Sequence, residues 1–219
     1  MLRIARSSSG QIRDFGFVAI FFAATACLCH PAAGQGQAPT LDRSPTRSVG
    51  DTFTFKWPGQ NVVRTYIGQK DGLNCFLDRA SSGQQSESCF TSEDNLVRRV
   101  GTWEPRVTTP HDGRLSFPLS VGKQWQVSYE VAGADPRYRM RRITAAVVSY
   151  EKVTVPAGTF DAFKILARDV AWGAQHGFRI TEYYSPTLGR IKYDQISEDG
   201  DLRNILMELI SYNPAKPGA

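Results

Sequence analysis

From Val49 to Tyr212 apolar and polar side chains alternate with the two-residue period of a half-buried β-strand. Phe53, Phe55 and Trp57 share one face, and Val63, Thr65 and Ile67 follow the Pro58-Gly59 turn. Leu73 to Asp78, Ser88 to Thr91 and Asn95 to Val100 read as three short strands. Glu104 to Arg114, with Pro105, Pro110 and Gly113, reads as a connecting loop. Trp125, Val127, Tyr129 and Val131 then alternate with Gln124, Gln126, Ser128 and Glu130, the cleanest half-buried strand in the chain. Tyr138 to Val155 is too long for one flat strand, so a bend or bulge is expected near Ala145-Ala146. Val153, Thr154 and Val155 favour extended backbone, Pro156 withholds an N–H, and Val155-Pro156-Ala157-Gly158 fits a type I turn. Beyond it Phe163, Ile165 and Ala167 face one way and Leu166, Val170 and Trp172 the other, which predicts burial on both sides. Phe178, Ile180, Glu182 and Tyr184 alternate with Arg179, Thr181 and Tyr183, and the segment Leu202 to Tyr212 reads as a closing strand.

Turns at short, regular spacing and no amphipathic helix imply an all-β, mainly antiparallel fold. With no helix to cover its apolar face, the sheet is expected to curl on itself as a partly open barrel or a two-layer sandwich. The expected organisation is a single β-rich domain over 49–212, preceded by a linker at 35–48 rich in Gln, Pro, Ser, Thr and Arg, and followed by a disordered tail at 213–219.

Arg3, Arg6 and Arg13 open the chain, and the apolar run from Phe15 to Cys29 is shorter than a bilayer span, as in a secretory signal peptide. Small residues at Ala32-Ala33-Gly34 favour cleavage there; a poor lipobox ending at Cys27 and an uncleaved anchor are the alternatives. The expected address is therefore exported, in a periplasm or cell envelope. Without residues 1–34 the chain carries 23 basic and 20 acidic residues, a net charge of +3, too mild a balance to call for a nucleic-acid partner. Of the four cysteines, Cys75 and Cys89 remain, an even count that suits an oxidising compartment and a structural disulfide across a polar hairpin tip.

The turn Val153 to Phe160, the segments Ala162 to Ile165, Tyr183 to Pro186 and Gly189 to Tyr193, and the upstream Phe117 to Trp125 carry a resemblance. A V-x-V-P-A-G-T-F turn followed by a Tyr-Tyr-Ser-Pro-x-x-Gly-Arg-x-Lys-Tyr strand resembles the uncharacterised exported domains of the DUF3108-like kind, from envelopes of Gram-negative bacteria. The resemblance covers about the last hundred residues and implies a β-rich periplasmic domain with no known catalytic residues.

Motifs for nucleophilic, zinc-hydrolytic, phosphate-cradling and dinucleotide chemistry are missing from the sequence, and no cofactor or metal site is expected. His111 and His176 fall in predicted loops. Glu130, Glu151 and Glu182 lie on strands, where a pair in a cleft would suit a carboxylate-dependent hydrolase. Glu182 sits on an otherwise apolar face and wants a partner, for which Arg139, Arg142 and Arg168 are candidates. On a strand, Arg137, Arg139 and Arg141 would form a row of guanidinium forks suited to phosphates or carboxylates of lipid headgroups or anionic envelope polymers. Trp103, Trp125, Trp172, Tyr183 and Tyr184 suit either the lining of a pocket for an acyl chain or sugar or, as the commoner role, ordinary core. The expected role is a non-catalytic binding module for an apolar or anionic envelope component, the alternatives being a structural partner that pairs its sheet edge with another envelope protein, and the hydrolase.

Overall fold

The computed structural model describes residues 38–199 and 204–216. The signal segment, the lipobox at Cys27, residues 35–37 of the linker and residues 217–219 of the tail lie outside the described residues. Residues 37–219 form a compact unit.

Twelve antiparallel strands close into a barrel, the most complete form of the curling expected from the alternation. They are β1 (Thr52–Trp57), β2 (Gln60–Lys70), β3 (Leu73–Ala80), β4 (Gln85–Phe90), β5 (Leu96–Gly101), β6 (Arg106–Thr109), β7 (Gln124–Ala132), β8 (Met140–Val155), β9 (Gly158–Ala171), β10 (Gly177–Ser185), β11 (Gly189–Ser197) and β12 (Ile205–Asn213). Each strand pairs with its sequence neighbours, and β12 closes the ring on β1 from Thr52↔Asn213 to Lys56↔Glu208. Closure pairs β1 with β12, the two strands that would otherwise be the edges of the sheet.

Local chemistry fixes the hairpins. Asp71 and Gly72 both have positive φ between β2 and β3, the requirement of the tightest hairpin turn. Pro156 and Ala157 join β8 to β9, with Val155 paired to Gly158. β8 has a register shift between Val147 and Ser149, just beyond the Ala145-Ala146 where a bend is expected, and at the far end of this hairpin the Ala157 amide donates to the Leu209 carbonyl at 3.1 Å. Cys75 and Cys89 are paired in register and joined by a disulfide.

Two differences from the sequence reading stand out. The expected loop from Glu104 to Arg114 contains β6, whose Thr108 turns inward and donates to the Leu96 carbonyl at 2.6 Å; the flanking prolines bound a short strand. Residues 38–48 are held against the barrel: Leu41 bridges Leu119 through two backbone hydrogen bonds, and Arg47 binds Asp94 at 2.6 and 3.0 Å. One apolar anchor and one buried ion pair suffice to order a segment whose composition reads as a linker.

Apolar side chains fill much of the interior. Leu115 and Leu119, from the connection between β6 and β7, are fully buried with Val147, Phe163 and Ile165. Phe53, Phe55, Phe76, Phe90, Ile180 and Leu209 belong to the larger cluster. Outward positions on β8 to β10 include Arg142, Thr144 and Arg168, so the wet face is outside. A lipid-spanning barrel arranges its faces the other way round. Leu166 and Trp172 are also outward and exposed, so β9 is not buried on both sides as its sequence suggested.

A candidate anion site in the barrel lumen

Eight strands enclose a space that side chains just fill. Twelve leave more room, and here long arginines and aromatic rings occupy part of it. Arg64 lies on β2 between inward-facing Val62 and Tyr66. It binds Asp78 of β3 at 2.7 and 3.1 Å, beneath the rings of Phe55, Phe76 and Phe90. Ser88 of β4 donates to Asp78 at 2.5 Å and accepts from Arg99 Nε at 2.9 Å. Arg99 of β5 also reaches Glu104 at 3.0 Å and lies over Trp103. Arg114 pairs with Asp112 at 3.0 Å and donates to the Tyr193 hydroxyl, and Arg190 pairs with Glu182 at 2.8 Å.

Arg106 breaks this pattern. It stands directly across from Arg99 in the β5–β6 register, and like charges facing one another across strands are unfavourable. Its Nη2 donates to the Tyr129 hydroxyl at 3.2 Å, but its Nε is buried with no hydrogen-bond partner and no described carboxylate pairs with it. The Tyr129 hydroxyl is itself committed to Asp169 at 2.7 Å, and burial with Asp169 pushes this phenol up, so it remains a neutral donor. Burial pushes the Arg99 guanidinium down; Arg64 and Arg106 add to that push, while Asp78 and Glu104 oppose it.

These groups face a cavity of about 330 Å³ whose polar side carries Arg64, Arg99, Arg106, Arg114 and Arg190 together with Glu104, Asp112, Tyr193 and Gln195. Trp57, Phe90, Leu96, Pro105, Ile205 and Met207 supply its apolar side. Four of the five guanidiniums have carboxylate partners, in Asp78, Glu104, Asp112 and Glu182, and Arg106 leaves one positive charge over. The volume falls at the small end of ligand pockets, roughly 300–1,000 Å³.

The sequence-derived candidates are dispersed. Arg137 and Arg139 lie in α1 (Pro136–Arg139), one helical turn rather than strand, because Pro136 suits a first helical position and Asp135 accepts from the Arg137 amide. Arg137 is spent on Asp135 and Arg139 on Glu130, whereas Arg141 turns inward to Asp169 at 3.0 Å, so the three do not form a row. Glu182 is 1 % exposed and takes Arg190 from the next strand, not Arg139, Arg142 or Arg168. Tyr184 is fully buried and donates to Asp94 at 2.6 Å, joining Arg47. Trp125 is half-buried and donates to the Gly113 carbonyl, and Trp172 stands exposed against Arg142. On β2 the structure reverses the phase expected from Val63, Thr65 and Ile67: Val62, Arg64 and Tyr66 turn inward and Val63 is exposed, so nothing in the local pattern marks Arg64, Arg99, Arg106, Arg114 and Arg190 as a group. Cys75, Glu87 and Cys89 lie together, but the disulfide consumes both thiolates.

No family model and no curated protein matches the chain. Among solved structures, it is similar to a protein described as exported and YmcC-like in fold from Bacteroides fragilis, at 14% identity and a TM-score of 0.44 over 79% of this chain and 99% of that one. It is similar to a protein named as a lipoprotein from Parabacteroides distasonis, at 12% identity and 0.41 over 81% and 100%. It is also similar to the hypothetical lipoprotein YmcC from Escherichia coli, at 11% identity and 0.49 over 76% and 85%.

Proposed function

We propose that the protein is an exported, non-catalytic binding module of the cell envelope whose barrel takes up a small amphipathic acid. The acidic head lies between Arg106 and Arg99, and the apolar body lies against Leu96, Ile205 and Met207. The observation that carries this reading is the buried Nε of Arg106, which lacks an acceptor and faces another guanidinium. A buried donor without a partner is costly, and a carboxylate or phosphate oxygen would satisfy it while separating the two like charges. The basic and apolar N-terminal segment and the Cys75–Cys89 disulfide support export. The resemblance to DUF3108-like exported domains points the same way. Glu182 and Glu130 are each held by a different arginine, which speaks against their acting as a free acid–base pair.

Decanoate and decyl phosphate are suitable probes, with decanol as the uncharged control. Calorimetry and native mass spectrometry should give one bound acid per barrel, a rise in melting temperature with either acid, and no response to decanol. Because Arg106 has no carboxylate to lose, Arg106→Gln should keep the fold and weaken the acid by about tenfold or more, the worth of a charge-assisted hydrogen bond. Equal binding of decanol, or undiminished binding by Arg106→Gln, would overturn the reading.

A further inference from the structure

A second, independent feature lies on the outside of the barrel. The β7–β8 and β9–β10 connections leave the barrel at the same end, because β8 and β9 are antiparallel and Arg141 pairs with Ala171. The Trp172 amide donates to the Met140 carbonyl at 2.7 Å, which ties the two connections together. Three large apolar side chains stand out from them: Trp172 is 64 % exposed, Tyr138 51 % and Met140 42 %. Arg142 stacks on Trp172 and Arg137 on Tyr138. From this tip an open groove of about 930 Å³ runs down the outer face of β8 to β11, past Val170, Leu166 and Ile196.

Charge decides what fits such a surface. Arg168 and Arg179 face one another across β9 and β10, and Arg142 lies on the adjoining strand. Arg137, Arg139 and Arg168 have carboxylate partners in Asp135, Glu130 and Glu198. Arg142 and Arg179 have no ion pair among the described residues. Asp194 and Glu198 line the same groove, with Arg179 also acting on Glu198, so the patch combines uncovered aromatics with an excess of one positive charge, three arginines against two carboxylates. Tryptophan and tyrosine place a flat apolar body and a polar edge at a membrane–water boundary, and arginine buries its stem while keeping its head among phosphates.

We propose that this end of the barrel rests on an anionic lipid bilayer. Trp172, Tyr138 and Met140 enter the headgroup–acyl boundary, and Arg142 and Arg179 pair with lipid phosphates. This uses no residue of the lumen cavity, so the two sites stand or fall separately.

The test takes residues 37–219, a compact unit without the apolar N-terminal run, and floats it with vesicles of phosphatidylcholine alone or mixed with phosphatidylglycerol. The barrel should float with the mixed vesicles and stay behind with the neutral ones. Its tryptophan emission should be quenched by lipids brominated near the headgroup end of their chains, and Trp172→Phe should remove that quenching while retaining binding. Arg142→Gln and Arg179→Gln should each weaken partitioning about fivefold. The double change Trp172→Ser and Tyr138→Ser should abolish flotation at an unchanged melting temperature, since both side chains are exposed. Equal partitioning onto neutral vesicles, quenching that survives Trp172→Phe, or retention on a soluble polyanion with no vesicle binding would overturn the proposal.

Discussion

Arg64 and Arg137 each grip a carboxylate with a two-pronged guanidinium, Arg64 holding Asp78 at 2.7 and 3.1 Å and Arg137 holding Asp135 at 2.9 and 3.1 Å. The contacts are nearly alike and the surroundings are opposite. In the lumen pair the side chains are 12 % and 0 % exposed; in the outer pair they are 78 % and 43 % exposed. Three aromatic rings surround Arg64, whereas Arg137 lies over the single ring of Tyr138 and is otherwise open to solvent. Taking charges out of water is expensive, and only partners held in good geometry offset it. Inside, each arginine must therefore find a carboxylate, and one that does not, Arg106, is conspicuous. Outside, an unpaired arginine such as Arg142 is ordinary, and only its company with exposed aromatics gives it a reading.

The largest test of this contrast removes one carboxylate from each pair. Asp78→Asn should cost about 3–5 kcal/mol in urea unfolding, because Arg64 stays buried without its counter-charge and the Ser88–Arg99 link is loosened. Asp135→Asn should leave the midpoint where it is. Replacing Arg64 and Asp78 together by Met and Leu should recover most of the loss, since an apolar pair of similar volume often matches a buried ion pair. If Asp78→Asn is as silent as Asp135→Asn, the lumen is wetter than its geometry implies.

A smaller effect is expected at the staple of the hairpin that carries this network. Asp78 and Ser88 lie on β3 and β4, which the Cys75–Cys89 disulfide joins. Replacing both cysteines by Ser should cost roughly 3 kcal/mol, the loop-closure value for a loop of about 15 residues. The loss should be seen in melts of the whole barrel, while vesicle partitioning by the Trp172 tip should not move.

How far all this is readable in the chain depends on which forces are local. Alternation, glycine–proline turns and the cysteine pair are local, and they led to antiparallel sheet, the bend in β8 and the disulfide. Closure of the ring is not local: it rests on β1 meeting β12 across most of the sequence. The arginine site is hidden for the same reason. Arg137, Arg139 and Arg141 are neighbours whose spacing suits a row on one strand face, yet one helical turn and a change of face scatter them. Arg64, Arg99, Arg106, Arg114 and Arg190 are scattered in sequence and gather only because β2, β5, β6 and β11 and one connecting loop bring them to one space in the closed barrel. The partner of Glu182 is a local miss instead: Arg190 lies just past the Pro186–Gly189 turn, on the next strand of the same hairpin. The turn itself is legible from Pro186 and Gly189; what the sequence does not show is that Gly189, at φ +81°, is packed so that a Cβ there would lie 2.9 Å from Arg47 Nη2.

The smallest effect is the one that pH should expose on the outer face. Glu198 receives Arg168 through two hydrogen bonds of 2.7 Å and the Gly177 amide at 3.0 Å. Arg168 chiefly, with help from that amide, holds the carboxyl down at about 2, below an ordinary value of 4.5. A carboxyl whose folded value is depressed stabilises the fold above its unfolded value and loses that contribution as pH falls toward the folded one. The stability difference between the native chain and Glu198→Gln should therefore be constant above about pH 5, shrink between about pH 4.5 and 2, and vanish below. Because water still reaches the pair, whose side chains are 49 % and 16 % exposed, the plateau should be no more than about 1 kcal/mol and should diminish with added salt. The Asp78→Asn difference should resist salt over the same range, since a pair enclosed by Phe55, Phe76 and Phe90 has little water through which ions can screen it. A plateau at Glu198 as large and as salt-resistant as that at Asp78 would erase the distinction between the two sides of the sheet.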